Sequence, residues 1–247
     1  MKKNKKTILI ILVSLLIVAS ISCGALYYKG ILRKTYKGSD EAYKILEEEH
    51  DYQIETLEDG SLCFVPNNPK AGFIFYQGGF VDHKSYSSLM DKLANNGILC
   101  ILLKANFDMP LFDPNVADAK RDYFPNVSDW YIGGHSMGAY VSTEYLEKHV
   151  DDYKGLILLA GYPAKDLSNT NLKALSIYGS LDGVMNKTKY EENKKYLPRD
   201  YQEIVIEGGC HSYFGDYGLA PEDLEPTISQ EEQIEQTLNA ILEFIFH

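Results

Sequence analysis

The sequence predicts an α/β fold, in which a mostly parallel sheet carries helices on both faces. Short, mostly apolar runs recur along the chain, and such runs suit strands that are buried on both faces of a parallel sheet. Stretches with a helical pattern separate these runs, so strand and helix alternate. No linker rich in Pro, Gly or Ser interrupts the alternation, and we therefore expect one domain over residues 39–247.

The predicted elements follow one another in a regular order. Ser39 is suited to cap a helix that continues to about residue 49, and Asp59-Gly60 predicts a hairpin between residues 52–57 and 62–65. The predicted buried strands are residues 71–76, 98–103, 130–132, 156–159, 174–178 and 202–206. The predicted helices are residues 86–95, 114–123, 137–149, 187–196 and 229–246.

Composition excludes several classes of protein. With 45% hydrophobic and 24% charged residues, the chain of 247 residues is too apolar for a disordered protein. The formal net charge of −11 argues against nucleic acid as a partner, because phosphate binding needs a basic surface. Beyond the N-terminal segment there are three cysteines, Cys63, Cys100 and Cys210, without C-x-x-C spacing. Their odd number and their spacing predict neither a disulfide framework nor a zinc site.

The N-terminal segment predicts a membrane anchor. Residues 7–28 carry no charge, and a helix of roughly 20 apolar residues is long enough to span a bilayer. A cleaved lipoprotein signal at Cys23 fits less well, because Ser20 stands where a lipobox carries a large aliphatic residue. We therefore expect an uncleaved single-pass transmembrane helix within residues 1–28, followed by a basic linker over residues 29–38.

The flanking charges predict how this anchor is oriented. Residues 1–6 contain four lysines, which favour a cytoplasmic N-terminus and a domain at residues 39–247 outside the cell membrane of a bacterium. The basic residues of the linker, among them Lys29 and Arg33, reduce the asymmetry on which this orientation depends.

A nucleophile is predicted from the run Gly134-His135-Ser136-Met137-Gly138, which fits G-x-S-x-G between a predicted strand and a predicted helix. The serine of such a motif occupies a strained, sharp turn, and the flanking glycines let the strand and helix backbones approach closely. The alternative is a glycine-rich turn that only packs a helix on a sheet. The run fits neither of the common phosphate-binding patterns.

A serine nucleophile needs a histidine base that a carboxylate orients. His211 follows the last predicted strand, and Asp182 follows the strand before it. The carboxyl ends of parallel strands meet at one edge of a sheet, so we expect both side chains to lie near Ser136. Asp182 also fits a simple Asp-Gly turn, and Asp216 is a second candidate for the acid.

An oxyanion hole requires two backbone N–H groups that are already in place. We expect one from Met137, the residue after the nucleophile, and one from the glycine-rich loop that follows the strand at residues 71–76. The N–H groups of Gly79 and Phe80 are the two candidates in that loop.

The sequence resembles the serine α/β-hydrolase superfamily, in its small, capless branch of dienelactone-hydrolase-like proteins. Residues 76–82, 134–138, 178–184 and 208–218 carry the resemblance. It implies an α/β-hydrolase fold and the chain order Ser136, Asp182, His211 for the catalytic triad. The nucleophile of dienelactone hydrolase is a cysteine, which Ser136 replaces here. Members of the branch are mostly presumed esterases, so the resemblance implies a small-molecule ester as substrate.

The expected function is therefore that of a membrane-anchored serine hydrolase that cleaves a carboxylic ester or a thioester, without a metal ion or cofactor. An acyltransferase with the same triad and a non-catalytic binding protein on a hydrolase scaffold are the alternatives. The predicted loop over residues 215–230 is long and acidic, and its charge predicts discrimination against anionic substrates. Its acidic side chains are Asp216, Glu222, Asp223 and Glu225.

Overall fold

The computed structural model describes residue 11, residues 13–22, residue 24 and residues 35–247. The chain divides into two units, Met1–Thr35 and Tyr36–His247, so the second unit begins three residues before the predicted boundary at residue 39. In the first unit, the described residues from 11 to 24 are helical. Within the described part of the chain, no helix has the length and apolar character needed to cross a membrane. The predicted span over residues 7–28 lies partly outside the described residues and stays a prediction.

The second unit is built on one sheet of eight strands. The strands are β1 Gln53–Thr56, β2 Leu62–Val65, β3 Ala71–Tyr76, β4 Ile98–Leu102, β5 Trp130–His135, β6 Gly155–Leu159, β7 Lys173–Gly179 and β8 Asp200–Ile206. Their order in the sheet is β1-β2-β4-β3-β5-β6-β7-β8. The pairs β1–β2 and β2–β4 are antiparallel, and all the other neighbours are parallel, as predicted for an α/β fold.

Five α-helices belong to the described part of this unit: α1 Asp40–Ile45, α2 Ser87–Asn95, α3 Met137–Leu146, α4 Lys187–Asn193 and α5 Gln230–Phe246. Helix α5 begins where the Ser229 hydroxyl accepts a hydrogen bond from the Glu232 N–H at 3.1 Å. Its residues Ile234, Leu238 and Ile241 are buried, and their spacing of four and three places them on one face of the helix.

The predicted helix over residues 114–123 is wrong. This segment forms successive turns, with a short 3₁₀ helix at Arg121–Tyr123. Ala119 has a φ of 58°, in the left-handed region, and a continuous right-handed helix cannot pass through such a residue. The hydrogen bond from the Asp118 N–H to the Asn115 carbonyl oxygen, at 2.9 Å, spans three residues as in a turn.

The core lies on both faces of the sheet. Successive side chains of a strand point to opposite faces, and along β3 Phe73 and Phe75 join one buried cluster while Ile74 and Tyr76 join the other. Helices α2 and α5 contribute to the first cluster and α3 to the second. The sheet is therefore covered on both sides. Its parallel strands β3, β5, β7 and β8 end at one common edge, where the predicted site residues follow them.

Candidate active site

Ser136 occupies a strained turn between β5 and α3. Its φ of 53° and ψ of −115° lie outside the regions that non-glycine residues favour. The Ser136 N–H donates a hydrogen bond of 2.8 Å to the carbonyl oxygen of Leu159 at the end of β6, which fixes the start of the turn. The side chain is partly exposed. The sheet thus holds a serine hydroxyl at its carboxyl edge in a geometry that packing must stabilise.

The glycines on either side of Ser136 are required by the lack of space. A Cβ atom at Gly134 would lie 2.5 Å from the carbonyl oxygen of Tyr76. A Cβ atom at Gly138 would overlap the carbonyl oxygens of both Tyr76 and Gln77. Any side chain at either position would therefore push α3 and β5 away from the end of β3.

His211 and Asp182 lie together at the same edge. Their side chains are joined by a hydrogen bond of 2.9 Å between His211 Nδ1 and Asp182 Oδ2, and both residues are buried. A carboxylate only accepts hydrogen bonds, so Nδ1 is the donor, and a neutral imidazole in this position presents the lone pair of Nε2. The other carboxylate oxygen of Asp182 accepts hydrogen bonds from the N–H groups of Val184 at 2.9 Å and Met185 at 2.8 Å. The acid is thus held in place independently of the histidine.

Ser136 and His211 line a common cavity of about 410 Å³, which we call the large cavity. Among the hydrogen bonds of residues 35–247 there is none between the Ser136 hydroxyl and His211. Hydrogen bonds between catalytic groups are often long without substrate and shorten when it binds. Most of the other side chains of the large cavity are apolar or aromatic, namely Leu111, Met137, Tyr140, Tyr162, Val184 and Met185.

The two candidates for the second oxyanion-hole donor differ in their hydrogen bonds. The Phe80 N–H donates to the carbonyl oxygen of Asp108 at 2.7 Å, so it is already engaged. Gly79 lies against Met137, since a Cβ atom at Gly79 would be 3.3 Å from the Met137 Cβ. Met137 is the first residue of α3, where a backbone N–H has no partner within the helix. The geometry therefore favours Gly79 over Phe80 as the partner of Met137.

Gln77 holds the loop that carries Gly79, and sequence reasoning missed this role. Its side chain is buried, and its Nε2 donates to the carbonyl oxygen of Val81 at 2.7 Å and to Asp108 Oδ1 at 3.2 Å. Its Oε1 accepts from the Ala105 N–H at 3.0 Å. A polar side chain directly after a fully buried strand was the available signal, because such a group must find partners.

His135, inside the elbow, connects three loops of the site. Its Nε2 donates to the backbone carbonyl oxygen of His211 at 3.1 Å, so its Nδ1 accepts the hydrogen bond of 2.9 Å from the Tyr86 hydroxyl. The Tyr86 oxygen in turn accepts from the Gly78 N–H at 2.9 Å. Burial, and then the neighbouring His211, hold the pKa of His135 well below its usual range. A neutral imidazole of fixed tautomer therefore joins the elbow to the loops at residues 78 and 211.

The acidic side chains of the loop over residues 215–230 have different positions. Asp216, the second candidate for the acid, accepts a hydrogen bond of 2.6 Å from Gln230 Nε2 and lines a separate cavity with Glu41, so it does not pair with His211. Asp223 accepts hydrogen bonds from the N–H groups of His211 at 3.2 Å and Ser212 at 2.7 Å, and it shapes the histidine loop.

The remaining two acids are both exposed, but Glu222 lines a small cavity beside Ser136, whereas Glu225 lines none of the cavities described for residues 35–247. The expected repulsion of anionic substrates therefore depends on the charge of Glu222.

A mostly parallel sheet with a strained serine after its central strand is the arrangement of an α/β hydrolase. The model of the alpha/beta hydrolase family matches residues 72–235, and the chain belongs to this family. The resemblance seen in the sequence is thereby confirmed. No curated protein matches the chain.

Solved structures with the same fold come from several organisms. A predicted CIB-like hydrolase from Thermoplasma acidophilum is 17% identical, with a TM-score of 0.56 over 78% of this chain and 98% of its own. A dienelactone hydrolase from Anabaena variabilis is 12% identical, with a TM-score of 0.58 over 78% and 99%. A thermophilic esterase from Thermogutta terrifontis is 13% identical, with a TM-score of 0.55 over 79% and 100%. At these identities the likeness is one of fold.

The neutral, buried His135 makes stability depend on pH. Below about pH 6.5 the unfolded chain binds a proton on this residue that the folded chain excludes, so stability falls as the pH falls. Between about pH 7.5 and pH 5.5 we expect the free energy of unfolding of the wild type to fall by about 1.4 kcal/mol more than that of His135→Gln. Glutamine can keep both hydrogen bonds without titrating. Urea denaturation of both proteins at several pH values measures the difference. Equal declines in the free energy of unfolding would contradict a buried His135 that stays neutral in the folded chain.

Proposed function

We propose that the chain is a serine hydrolase that cleaves a carboxylic ester or a thioester of a small molecule through an acyl-enzyme. The observation that carries the proposal is that Ser136, in its strained turn, lines the same cavity as His211, which a hydrogen bond joins to Asp182. Membership in the alpha/beta hydrolase family supports hydrolysis as the reaction.

In the proposed mechanism, His211 Nε2 takes the proton of the Ser136 hydroxyl while Oγ attacks the carbonyl carbon of the ester. The negative charge that forms on the carbonyl oxygen is stabilised by the N–H groups of Met137 and Gly79. His211 then gives its proton to the departing alcohol or thiol, and the acyl group stays on Ser136. Water, activated by the same histidine, releases the acid. Asp182 stabilises the imidazolium in both steps.

The shape of the site supports a small ester with an apolar acyl part. Only about a dozen residues join β6 to β7, which is too short for a cap domain, so the large cavity is open to solvent. Its volume of about 410 Å³ lies within the usual range for small-molecule sites, about 300–1,000 Å³. The apolar side chains around it, such as Leu111 and Met185, favour burial of an acyl chain.

The first prediction for this proposal concerns the nucleophile. The wild-type protein is expected to react covalently with a fluorophosphonate probe and to release product from acyl thioesters, and Ser136→Ala is expected to lose both. Labelling is measured by gel fluorescence and intact mass, and hydrolysis by thiol release. Labelling that persists in Ser136→Ala would refute the nucleophile, and a wild type that is not labelled would favour a binding protein. Product formed only when an alcohol acceptor is present would favour an acyltransferase.

The second prediction separates the two candidate acids. Asp182→Asn is expected to lower kcat by about 10³- to 10⁴-fold, because an amide cannot stabilise the imidazolium or hold the same tautomer. Asp216→Asn is the matched control and is expected to change kcat less than twofold, since this carboxylate bonds Gln230 instead of His211. Steady-state kinetics with one thioester measure both variants. A larger loss in Asp216→Asn than in Asp182→Asn would reverse the assignment.

We also propose that the N-terminal unit anchors the chain in a bacterial cell membrane, with the catalytic unit outside the cytoplasm. The lysines of residues 1–6 and the uncharged run over residues 7–28 support this proposal. Apolar side chains such as Leu15 and Val18 are exposed in the helical part of this unit, and a lipid environment would cover them.

A double substitution tests the anchor. Leu15→Lys with Val18→Lys is expected to release the full-length chain from membranes into the soluble fraction, because each charge costs about 2.5–3.5 kcal/mol at the centre of a bilayer helix. Alkaline extraction of membranes, followed by immunoblotting, measures the distribution. Equal distributions of the wild type and the variant would contradict the anchor. Protease added to cells with a permeable outer layer and an intact cell membrane tests the orientation. A catalytic unit that resists this protease would contradict its proposed position outside the cytoplasm.

A further inference from the structure

A second cavity, of about 130 Å³, lies beside the nucleophile and is called the small cavity here. It shares Ser136, Val184 and His211 with the large cavity, so the two meet at the reacting groups. Gly79, the favoured oxyanion-hole donor, also lines it. A substrate held at Ser136 can therefore extend one part into each cavity. The small cavity has about a third of the volume of the large cavity, about 130 Å³ against about 410 Å³, which suits a compact group and not a chain.

Two aromatic rings form part of the wall of the small cavity. The rings of Tyr36 and Tyr217 have centroids 5.6 Å apart and planes at 51°. Tyr217 also packs near His135, with centroids 6.4 Å apart, which fixes it against the elbow. The face of an aromatic ring is electron-rich and attracts cations.

Backbone pairing holds Tyr36 in this position. Its N–H donates to the carbonyl oxygen of Phe80 at 2.7 Å, and its carbonyl oxygen accepts from the Asp82 N–H at 2.9 Å. Tyr36 also forms a parallel β-bridge with Val81. The ring is thus attached to the same loop that carries Gly79, so its distance from the reacting groups is set by the fold.

The charge of the small cavity is negative. Glu222 is the only carboxylate among the lining residues in the described part of the chain, and no Lys or Arg lines the cavity there. Burial, followed by the negative charge of Glu222, raises the pKa of the Tyr36 hydroxyl, so this ring stays an uncharged phenol at neutral pH. Two tyrosines and a carboxylate around a compact space are the groups that bind a substituted ammonium ion.

We propose that the small cavity binds an ammonium group in the alcohol part of the ester substrate, with Tyr36 and Tyr217 against the cation and Glu222 as its counter-ion. This inference rests on the proposed hydrolase function. The large, apolar cavity takes the acyl chain, which leaves the small cavity for the alcohol that departs when His211 protonates it. The substrate class is therefore esters of amino alcohols, whether the nitrogen is quaternary or primary.

The test compares two thioesters of the same acid on the full-length protein. One is the thiocholine ester, and the other is the 3,3-dimethylbutyl thioester, which has the same shape without the charge. At low salt we expect kcat/KM to be roughly 5- to 30-fold higher for the cationic ester. The ratio is expected to fall as the screening length shrinks from about 30 Å at 0.01 M salt to about 3 Å at 1 M salt. The 2-aminoethyl oxygen ester of the same acid, followed by release of the acid, shows whether a primary ammonium group is accepted as well.

Glu222→Gln keeps the size of the side chain and removes its charge. It is expected to lower the ratio of the two kcat/KM values by about two- to fivefold, because the counter-ion is lost and an exposed carboxylate such as Glu222 contributes at most about 1 kcal/mol to an ion pair. Glu225→Gln removes an exposed charge from the same loop outside the cavity and is the matched control, with an expected ratio equal to that of the wild type. Choline is further expected to slow fluorophosphonate labelling of Ser136 more than 3,3-dimethylbutanol does.

The outcomes separate the two proposals. Hydrolysis of both thioesters at equal kcat/KM, with no effect of Glu222→Gln on the ratio, would overturn the ammonium subsite and leave the hydrolase function standing. A preference that appears only when the ammonium group is placed on the acyl part would overturn the assignment of the two cavities. No hydrolysis and no labelling by the fluorophosphonate probe would overturn both proposals.

Discussion

The close approach of three backbone segments around Ser136 is the constraint on which the site depends. The end of β3, the end of β5 and the first turn of α3 come together with no room for a side chain at Gly134 or Gly138. This packing stabilises the unfavourable φ and ψ of Ser136, which an isolated turn would not keep. The same approach sets Gly79 against Met137, so the strained serine and the two candidate backbone donors are consequences of one arrangement.

Buried polar side chains connect the loops at this edge of the sheet. His135 and Tyr86 join the elbow to Gly78 and to the backbone of His211, while Gln77 joins the Gly79 loop to the segment at Asp108. Each of these groups would cost free energy if its partner moved away, since a buried polar group without a hydrogen bond is unfavourable. These hydrogen bonds therefore fix the positions of the loops relative to one another. A site without a cap domain depends on them, because no further domain holds the loops in place.

The sequence predicted the elements with regular periodicity and the residues that follow them. The strands of the sheet, the hairpin at Gly60 and the turn at Ser136 depend on local patterns, and the structure contains them. The segment at residues 114–123 was predicted wrongly because its helical pattern does not reveal the left-handed Ala119. Gln77 and Tyr86 were missed because each joins its loop to a residue remote in sequence, Gln77 to Asp108 and Tyr86 to His135.

By itself, the sequence determined the fold class, the family and a short set of candidate catalytic residues, because these depend on local spacing and chain order. Only the tertiary structure decided which of several similar groups lie next to Ser136 and His211. It separated Asp182 from Asp216, Gly79 from Phe80, and Glu222 from its acidic neighbours. The physical reason is that a hydrogen-bond partner or a cavity wall comes from segments remote in sequence, and a local sequence pattern does not show which segments will be in contact.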